Sequence, residues 1–221
     1  MSDPFRFQRN YMVEHQLEKR GIRDPRVLEA FRKVPRHEFV PDKLKSQAYA
    51  DGPLPVGDGQ TISQPYMAAI MTQSVAVHPG HRVLEVGTGS GYQAGILAEL
   101  GAKVFTIERI PELAEKALAR LRRLGYNGVD VRIGDGTQGW QEKAPYAAII
   151  VTAGSPQIPA PLLGQLAMGG RLVIPIGQSR SQVLYTALQT RQGLTRSPGE
   201  RCKFVPLIGE HGWGTDPGQA L

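Results

Sequence analysis

The feature that most constrains this chain lies near its middle, in Val83-Leu84-Glu85-Val86-Gly87-Thr88-Gly89-Ser90-Gly91-Tyr92. Strand-forming residues lead into a turn with glycine at every second position, and helix-forming residues follow. Glycine lets the backbone adopt left-handed angles and pass close to a ligand with no Cβ in the way. A strand–turn–helix of this kind belongs in an open α/β sheet, where ligands sit at the carboxyl ends of strands near the point at which strand order reverses. The spacing is not the dinucleotide fingerprint, because the third glycine of that motif would fall where Tyr92 stands. Gly-x-Gly-x-Gly preceded by an acid suits a ligand without a pyrophosphate. Glu85 can face a positive sulfonium or an amino group.

The text on either side supports an α/β fold. Short β-branched runs predict strands at 82–86, 103–108, 129–133, 146–151 and 171–175, with helices at 92–100, 111–124 and 159–167 between them. The helix at 111–124 carries Leu113, Ala117, Leu121 and Leu124 on one face, and Gly125 stops it. Such alternation implies a Rossmann-like doubly wound sheet, mostly parallel, with helices on both faces. Runs at 182–190 and 203–207 read as two further strands with hairpin-like spacing, which predicts an antiparallel edge. Residues up to about Val77 read as helices and loops. Asp24 before Pro25 is an N-cap followed by proline at the first helical position, Val27, Phe31 and Val34 recur at helical spacing, and Pro35 ends the helix. The Gly- and Pro-rich stretch 49–61 reads as an ordered loop, and a helix is expected from Pro65 to about Val75. The whole, 1–221, is expected to be a single domain, with an N-terminal region at 1–78, the sheet and C-terminal strands at 79–213, and a tail at 214–221.

Composition narrows the class. With 41% apolar and 21% charged residues, the chain matches a globular protein and not a disordered one. The single cysteine, Cys202, excludes an intrachain disulfide and a cysteine metal cluster. Met1 to Tyr11 is polar and charged, without the apolar core of a secretory leader, and no run is long enough for a membrane helix. The formal net charge of +6 is spread thinly, whereas a nucleic-acid footprint is clustered. The chain is therefore expected to be cytoplasmic and monomeric, with no nucleic-acid partner, membrane or metal.

Two further strand ends carry acids. Glu108 falls 21 residues after Gly87, the distance at which an acid takes both hydroxyls of a ribose, and Arg109 follows it. The third strand ends at Gly134-Asp135-Gly136, where an acid can accept from an adenine amino group, although a plain turn reads the same way.

These residues resemble the S-adenosylmethionine-dependent methyltransferases. The wider chain resembles one family in particular, the protein L-isoaspartate O-methyltransferases. The resemblance rests on Gly59-Gln60-Thr61-Ile62-Ser63-Gln64-Pro65-Tyr66, the run from Glu85 to Gln93, Thr106-Ile107-Glu108-Arg109 and Gly134-Asp135-Gly136. It continues in Gly169-Gly170-Arg171-Leu172-Val173-Ile174-Pro175 and Phe204-Val205-Pro206-Leu207. The glycine turn is generic to the superfamily, and the segment around Thr61 to Pro65 is far more specific. The resemblance implies a seven-stranded methyltransferase sheet and transfer of a methyl group from S-adenosyl-L-methionine to L-isoaspartyl residues of damaged proteins and peptides, leaving S-adenosyl-L-homocysteine. It implies that Glu85, Gly87, Thr88, Gly89, Ser90 and Gly91 hold the cofactor, together with Glu108, Arg109, Asp135, Gly136 and Gln64. Thr61, Ile62, Ser63, Val205 and Leu207 would hold substrate, and the family's catalytic serine maps onto Ser63. One departure is Ala147, where the family usually has an acid.

A carboxylate acceptor is already ionised at neutral pH, so methyl transfer to it needs no general base and the protein mainly supplies position. Ser63 would aim that carboxylate. Its competing reading is a helix cap, since serine near proline is a common helix start. A nicotinamide oxidoreductase is disfavoured by Tyr92. A nucleic-acid or small-molecule methyltransferase is disfavoured by the Thr61 to Pro65 segment, and a non-catalytic module by the intact glycine turn.

Overall fold

The structure, a computed structural model, describes residues 3–179 and 181–214. Expectations about the tail beyond Gly214 lie outside the described residues. The N-terminal region holds α1 (Arg6–Met12), which runs into a π-helical turn (Val13–Leu17), then α2 (Pro25–Lys33). The Asp24 carboxylate accepts from the Arg26 amide at 2.9 Å, as the N-cap reading requires. The stretch read as a loop contains a small antiparallel pair, β1 (Leu54–Gly57) and β2 (Gln60–Ile62), whose pairing shifts register between Pro55 and Gly57. Then comes α3 (Pro65–Ser74).

The large sheet begins with β3 (Arg82–Val86), α4 (Tyr92–Glu99), β4 (Lys103–Glu108), α5 (Pro111–Arg123) and β5 (Asp130–Ile133). It continues with β6 (Tyr146–Val151), α6 (Ala160–Gly164), β7 (Leu166–Gln178), β8 (Ser181–Thr190) and β9 (Gly193–Cys202). Strand order is β5-β4-β3-β6-β7-β8-β9. Pairs from β5 to β7 are parallel, and β7–β8 and β8–β9 are antiparallel. This is the mostly parallel sheet with an antiparallel edge that the sequence implies. Chain order reverses between β3 and β6, so the switch point lies at the carboxyl end of β3, where the glycine turn starts.

Alternation along each central strand sends side chains to two cores. Val83, Val104, Ala148 and Ile150 pack with residues of α1 to α5 on one face. Leu84, Ile107, Ile149 and Val151 pack with Ile158 and Leu162 on the other. Each fully buried aliphatic side chain contributes about 1.5–3 kcal/mol, which is why the central strands hold their register.

Three expectations need correction. The helix expected at 159–167 is shorter, because after Gly164 the chain joins β7 at Leu166, opposite Tyr146. The strand expected at 171–175 runs farther at both ends, drawn out by its ladder with β8 to Gln178 opposite Ser181. The segment 203–207 is not a sheet strand. It crosses the end of β6, where the Gly154 amide donates to Val205 at 2.7 Å and the Leu207 amide donates to Gly154 at 2.8 Å. Pro206 has no N–H for a ladder, and the outer strand is β9, just upstream. At Ala147 the β6–β7 register shifts between Tyr146 and Ala148. No helix among the described residues is long and apolar enough to cross a membrane.

Candidate functional site

The glycine turn opens on a cavity. Gly87 and Gly91 need their residue type for separate reasons. At Gly87, with φ of 95°, an added Cβ would lie 2.5 Å from the Thr152 hydroxyl, which itself donates to the Gly87 carbonyl at 2.7 Å. At Gly91, with φ of 88°, a Cβ would press on Ala117 and Leu121 of α5 at 3.3 Å. Gly91 thus closes the α4–α5 packing and does not line the cavity, whereas Gly87, Thr88, Gly89 and Ser90 do.

Glu108 ends β4 beside the turn. One carboxylate oxygen accepts from the Gly89 amide at 2.9 Å and the other from the Ile110 amide at 3.1 Å. Each oxygen keeps a further lone pair, and the side chain lines the cavity with Arg109. A carboxylate pinned at both oxygens is pre-aimed, and it matches a vicinal diol.

Glu85 lies in β3 with no exposed surface, yet it too lines the cavity. Its Oε2 accepts from the Thr106 hydroxyl at 2.6 Å, and that hydroxyl lies 2.7 Å from the Thr88 hydroxyl. Its Oε1 has no partner. Burial pushes the carboxyl up to about 8; the Thr106 hydrogen bond opposes this and the Glu108 charge adds to it. An orphaned carboxylate oxygen in a cavity wall suits a cationic donor, because an unpaired buried acceptor is costly. The fit to a ligand bearing a ribose diol and a positive head therefore rests on this chain's own geometry.

Asp135 lies outside the cavity lining. Its carboxylate accepts from the Thr137 amide at 2.8 Å, the Thr137 hydroxyl at 2.7 Å and the Glu210 amide at 2.8 Å. Burial works to raise this carboxyl, but the bonds from Glu210 and Thr137 outweigh it and hold it below the ordinary value. Its oxygens tie the chain after Ile208 to the end of β5, which is the turn reading of the motif. Gly136 does line the cavity.

The second wall comes from distant segments. Thr61, Ile62 and Ser63 line the same cavity as the glycine turn, with Val205 and Leu207 from the crossing segment. The helix-cap reading of Ser63 fails here. Helix α3 begins at Pro65 with Gln64 as N-cap and no side-chain capping bond. Gln64 instead donates to Asp51 at 2.7 Å and lines an adjoining hollow, not the glycine-turn cavity. Ser63 is fixed through its backbone: the fully buried Arg36 donates to the Ser63 carbonyl and to the Ala48 carbonyl, both at 2.7 Å. The same guanidinium sits 4.9 Å from the centre of the Tyr92 ring, which lines the cavity floor.

Sequence reasoning missed Arg36, Tyr92 and Thr152 as parts of the site. The signal for Thr152 was available, since it is the first residue past the carboxyl end of β6, beside the switch point. For Arg36, only the fold shows that it meets Ser63.

Comparison with known proteins agrees with this geometry. Residues 8–212 match the family described as protein-L-isoaspartate(D-aspartate) O-methyltransferase. A protein-L-isoaspartate O-methyltransferase of Methanoculleus marisnigri is 53% identical over 212 residues, covering 96% of each chain. One from Syntrophobacter fumaroxidans is 54% identical over 209 residues, covering 95% of this chain and 98% of its own. Among solved structures, a protein-L-isoaspartate O-methyltransferase superposes with a TM-score of 0.82 at 30% identity, covering 94% of this chain and 67% of its own. A beta-aspartate methyltransferase of Plasmodium falciparum, solved with S-adenosyl-L-homocysteine, gives 0.78 at 27% identity, covering 90% and 98%. A family match over nearly the whole length and relatives identical at more than half of the aligned positions lead to one conclusion: the chain belongs to the protein-L-isoaspartate(D-aspartate) O-methyltransferase family.

Proposed function

We propose that this chain transfers a methyl group from S-adenosyl-L-methionine to the free carboxylate of L-isoaspartyl residues in damaged proteins and peptides, starting their repair through a methyl ester and a succinimide. The observation that carries this reading is that the glycine turn and the Thr61–Ser63 segment line a single cavity. When bound, S-adenosyl-L-methionine supplies a methyl group on a positively charged sulfur. Glu108 would hold the ribose diol through its free lone pairs. Glu85 would meet the amino end of the methionine part with its unpaired oxygen. Thr88, Gly89 and Ser90 would wall the space between them.

The acceptor carboxylate is ionised well below neutrality, so no residue has to remove a proton from it. What the protein adds is aim. The Ser63 hydroxyl has no partner among the described residues, and its loop is held by Arg36 from behind, so it is placed to donate to the acceptor and fix its direction. A fixed reacting geometry is worth several decades in rate. Val205 and Leu207 would lie along the peptide and keep water from the reacting pair. We place the enzyme in the cytoplasm as a monomer, in line with a half-buried thiol at Cys202 and an acceptor found on proteins at large.

The test uses labelled cofactor and two peptides that differ only in L-isoaspartate against L-aspartate. Base-labile label should pass to the isoaspartyl peptide and much less to the other. Equal labelling, or none, overturns the proposal.

A further inference from the structure

Beside the Ser63 loop lies a second hollow, which shares Thr61, Ser63, Thr152 and Val205 with the first cavity. A peptide whose acceptor carboxylate reaches Ser63 can extend into this space, because the two hollows share Ser63 and Val205. The charged side chains lining this hollow are Arg201 and Lys203, and both are exposed. They are two residues apart in extended chain, which puts them on one side of it. Cys202 between them turns its thiol toward the Gln182 carbonyl at 3.7 Å.

Neither cation has an acidic partner within 4 Å among the described residues. The acids tied to this rim are engaged elsewhere. Asp51 pairs with Arg20 at 3.1 Å and accepts from Gln64 at 2.7 Å. Glu200 accepts from the Tyr66 hydroxyl at 3.4 Å. The lining of the hollow next to the acceptor thus carries two cations without an ion pair within 4 Å and no carboxylate, and Glu200, the acid next to Arg201 in the chain, lies outside that lining.

We infer that Arg201 and Lys203 form a subsite for an acidic side chain flanking the isoaspartyl residue, so that the enzyme selects damaged sites in acidic sequence. The inference rests on the reading of the acceptor as an isoaspartyl peptide. Charge complementarity at an exposed rim acts mainly on encounter and orientation, and salt weakens it.

The experiment uses one isoaspartyl peptide frame with Glu, Gln or Lys on both sides of the damaged residue. For the wild-type chain, kcat/KM should fall in the order Glu, Gln, Lys. Each step should be roughly two- to fivefold at low salt, the range of exposed ion pairs, and the differences should shrink when ionic strength is raised. The double variant R201E/K203E should reverse the order, with cofactor affinity and thermal midpoint reporting that it is folded. The wild-type series and its salt dependence stand whether or not the variant folds. Equal kcat/KM for the three peptides, or an order that the double variant leaves in place, overturns the subsite. Transfer to none of the three overturns the function on which it rests.

Discussion

The cavity wall made by Glu85, Gly87 and Glu108 stands on the ends of adjacent parallel strands, whereas the wall made by Thr61, Ser63 and Val205 stands on segments outside the large sheet. The first wall inherits its precision from ladders that fully buried side chains hold in register. The second has only the short β1–β2 pair and the backbone bonds of Gly154 to Val205 and Leu207, and long side chains add to the holding: Arg36 on Ser63, Gln182 accepting from the Phe204 amide at 2.8 Å, and Trp213 donating to Gly154 at 3.0 Å. The side proposed to hold the cofactor is therefore a property of the sheet. The side proposed to hold the acceptor depends on a few cross-links between distant parts of the chain. Changes on one side should leave the other largely intact.

The largest expected effect is at Ser63. Ser63→Ala should lower methyl transfer to the isoaspartyl peptide by about a hundredfold, the cost of a small misplacement of reacting groups. Cofactor affinity should stay within about twofold, and the thermal midpoint should not move, because the hydroxyl caps no helix. Turnover and calorimetric titration decide it. Near-normal turnover would take Ser63 off the list of residues that touch substrate.

Glu108→Ala attacks the other wall. Hydrogen bonds to a charged group are worth about 1.5–3 kcal/mol, which is one to two decades of cofactor affinity. The Gly89 and Ile110 amides also lose their acceptor, so the turn loosens. Peptide KM at saturating cofactor should change far less. An equal loss for both ligands would break the separation of the walls.

A smaller effect belongs to Arg36. Arg36→Lys keeps the buried charge but replaces a planar fork by one ammonium, which is not a conservative change where two carbonyls are held at once. Peptide KM should rise about tenfold, the equivalent of about 1.4 kcal/mol lost at the Ser63 carbonyl. Cofactor affinity should hold. A matched fall in both would mean that Arg36 supports the core as a whole.

The two walls also differ in how far the sequence reveals them. Strands β3, β4 and β6 have the boundaries read from residues alone, because each is a short buried run stopped by glycine or a polar turn. The order of the acids at their ends followed from that. Strand β9 was not legible: Gly193, Pro198 and Gly199 interrupt it and most of its residues are exposed, so only pairing with β8 makes it a strand. The segment 203–207 looked like a strand from its apolar residues, but Phe204 packs in the core that faces α1 to α5, while Val205 and Leu207 line the cavity and pack with the other core. Asp135 read as a ligand residue because it sits between glycines at a strand end; its partner, the Glu210 amide, is 75 residues away. Arg36 meets Ser63 from 27 residues away by the same kind of contact. Local pattern carries the sheet side of the site, and side-chain bonds across long loops carry the rest.

The subtlest prediction concerns Glu85, where the sheet itself bears a cost. Its ordinary value of 4.5 is pushed up to about 8 by burial. A carboxyl raised in the folded state stabilises the protein at low pH and loses that contribution as pH rises toward 8, because the folded chain must then bury a charge that the unfolded chain leaves in water. The ligand-free wild type should therefore lose stability between about pH 5 and 8, and Glu85→Gln should flatten part of that slope. Cofactor binding should reverse the penalty. A cationic group at the free oxygen favours the ionised form, so binding near pH 7 should release a proton from Glu85. The measurement is titration calorimetry in buffers of different ionisation heat: the apparent enthalpy should follow the buffer for the wild type and lose most of that dependence in Glu85→Gln. Affinity of the wild type should rise a few-fold as pH increases to about 8 and then level off. No proton release at neutral pH would mean that Glu85 stays protonated beside the ligand, and that the sheet wall recognises a neutral group where a cation is expected.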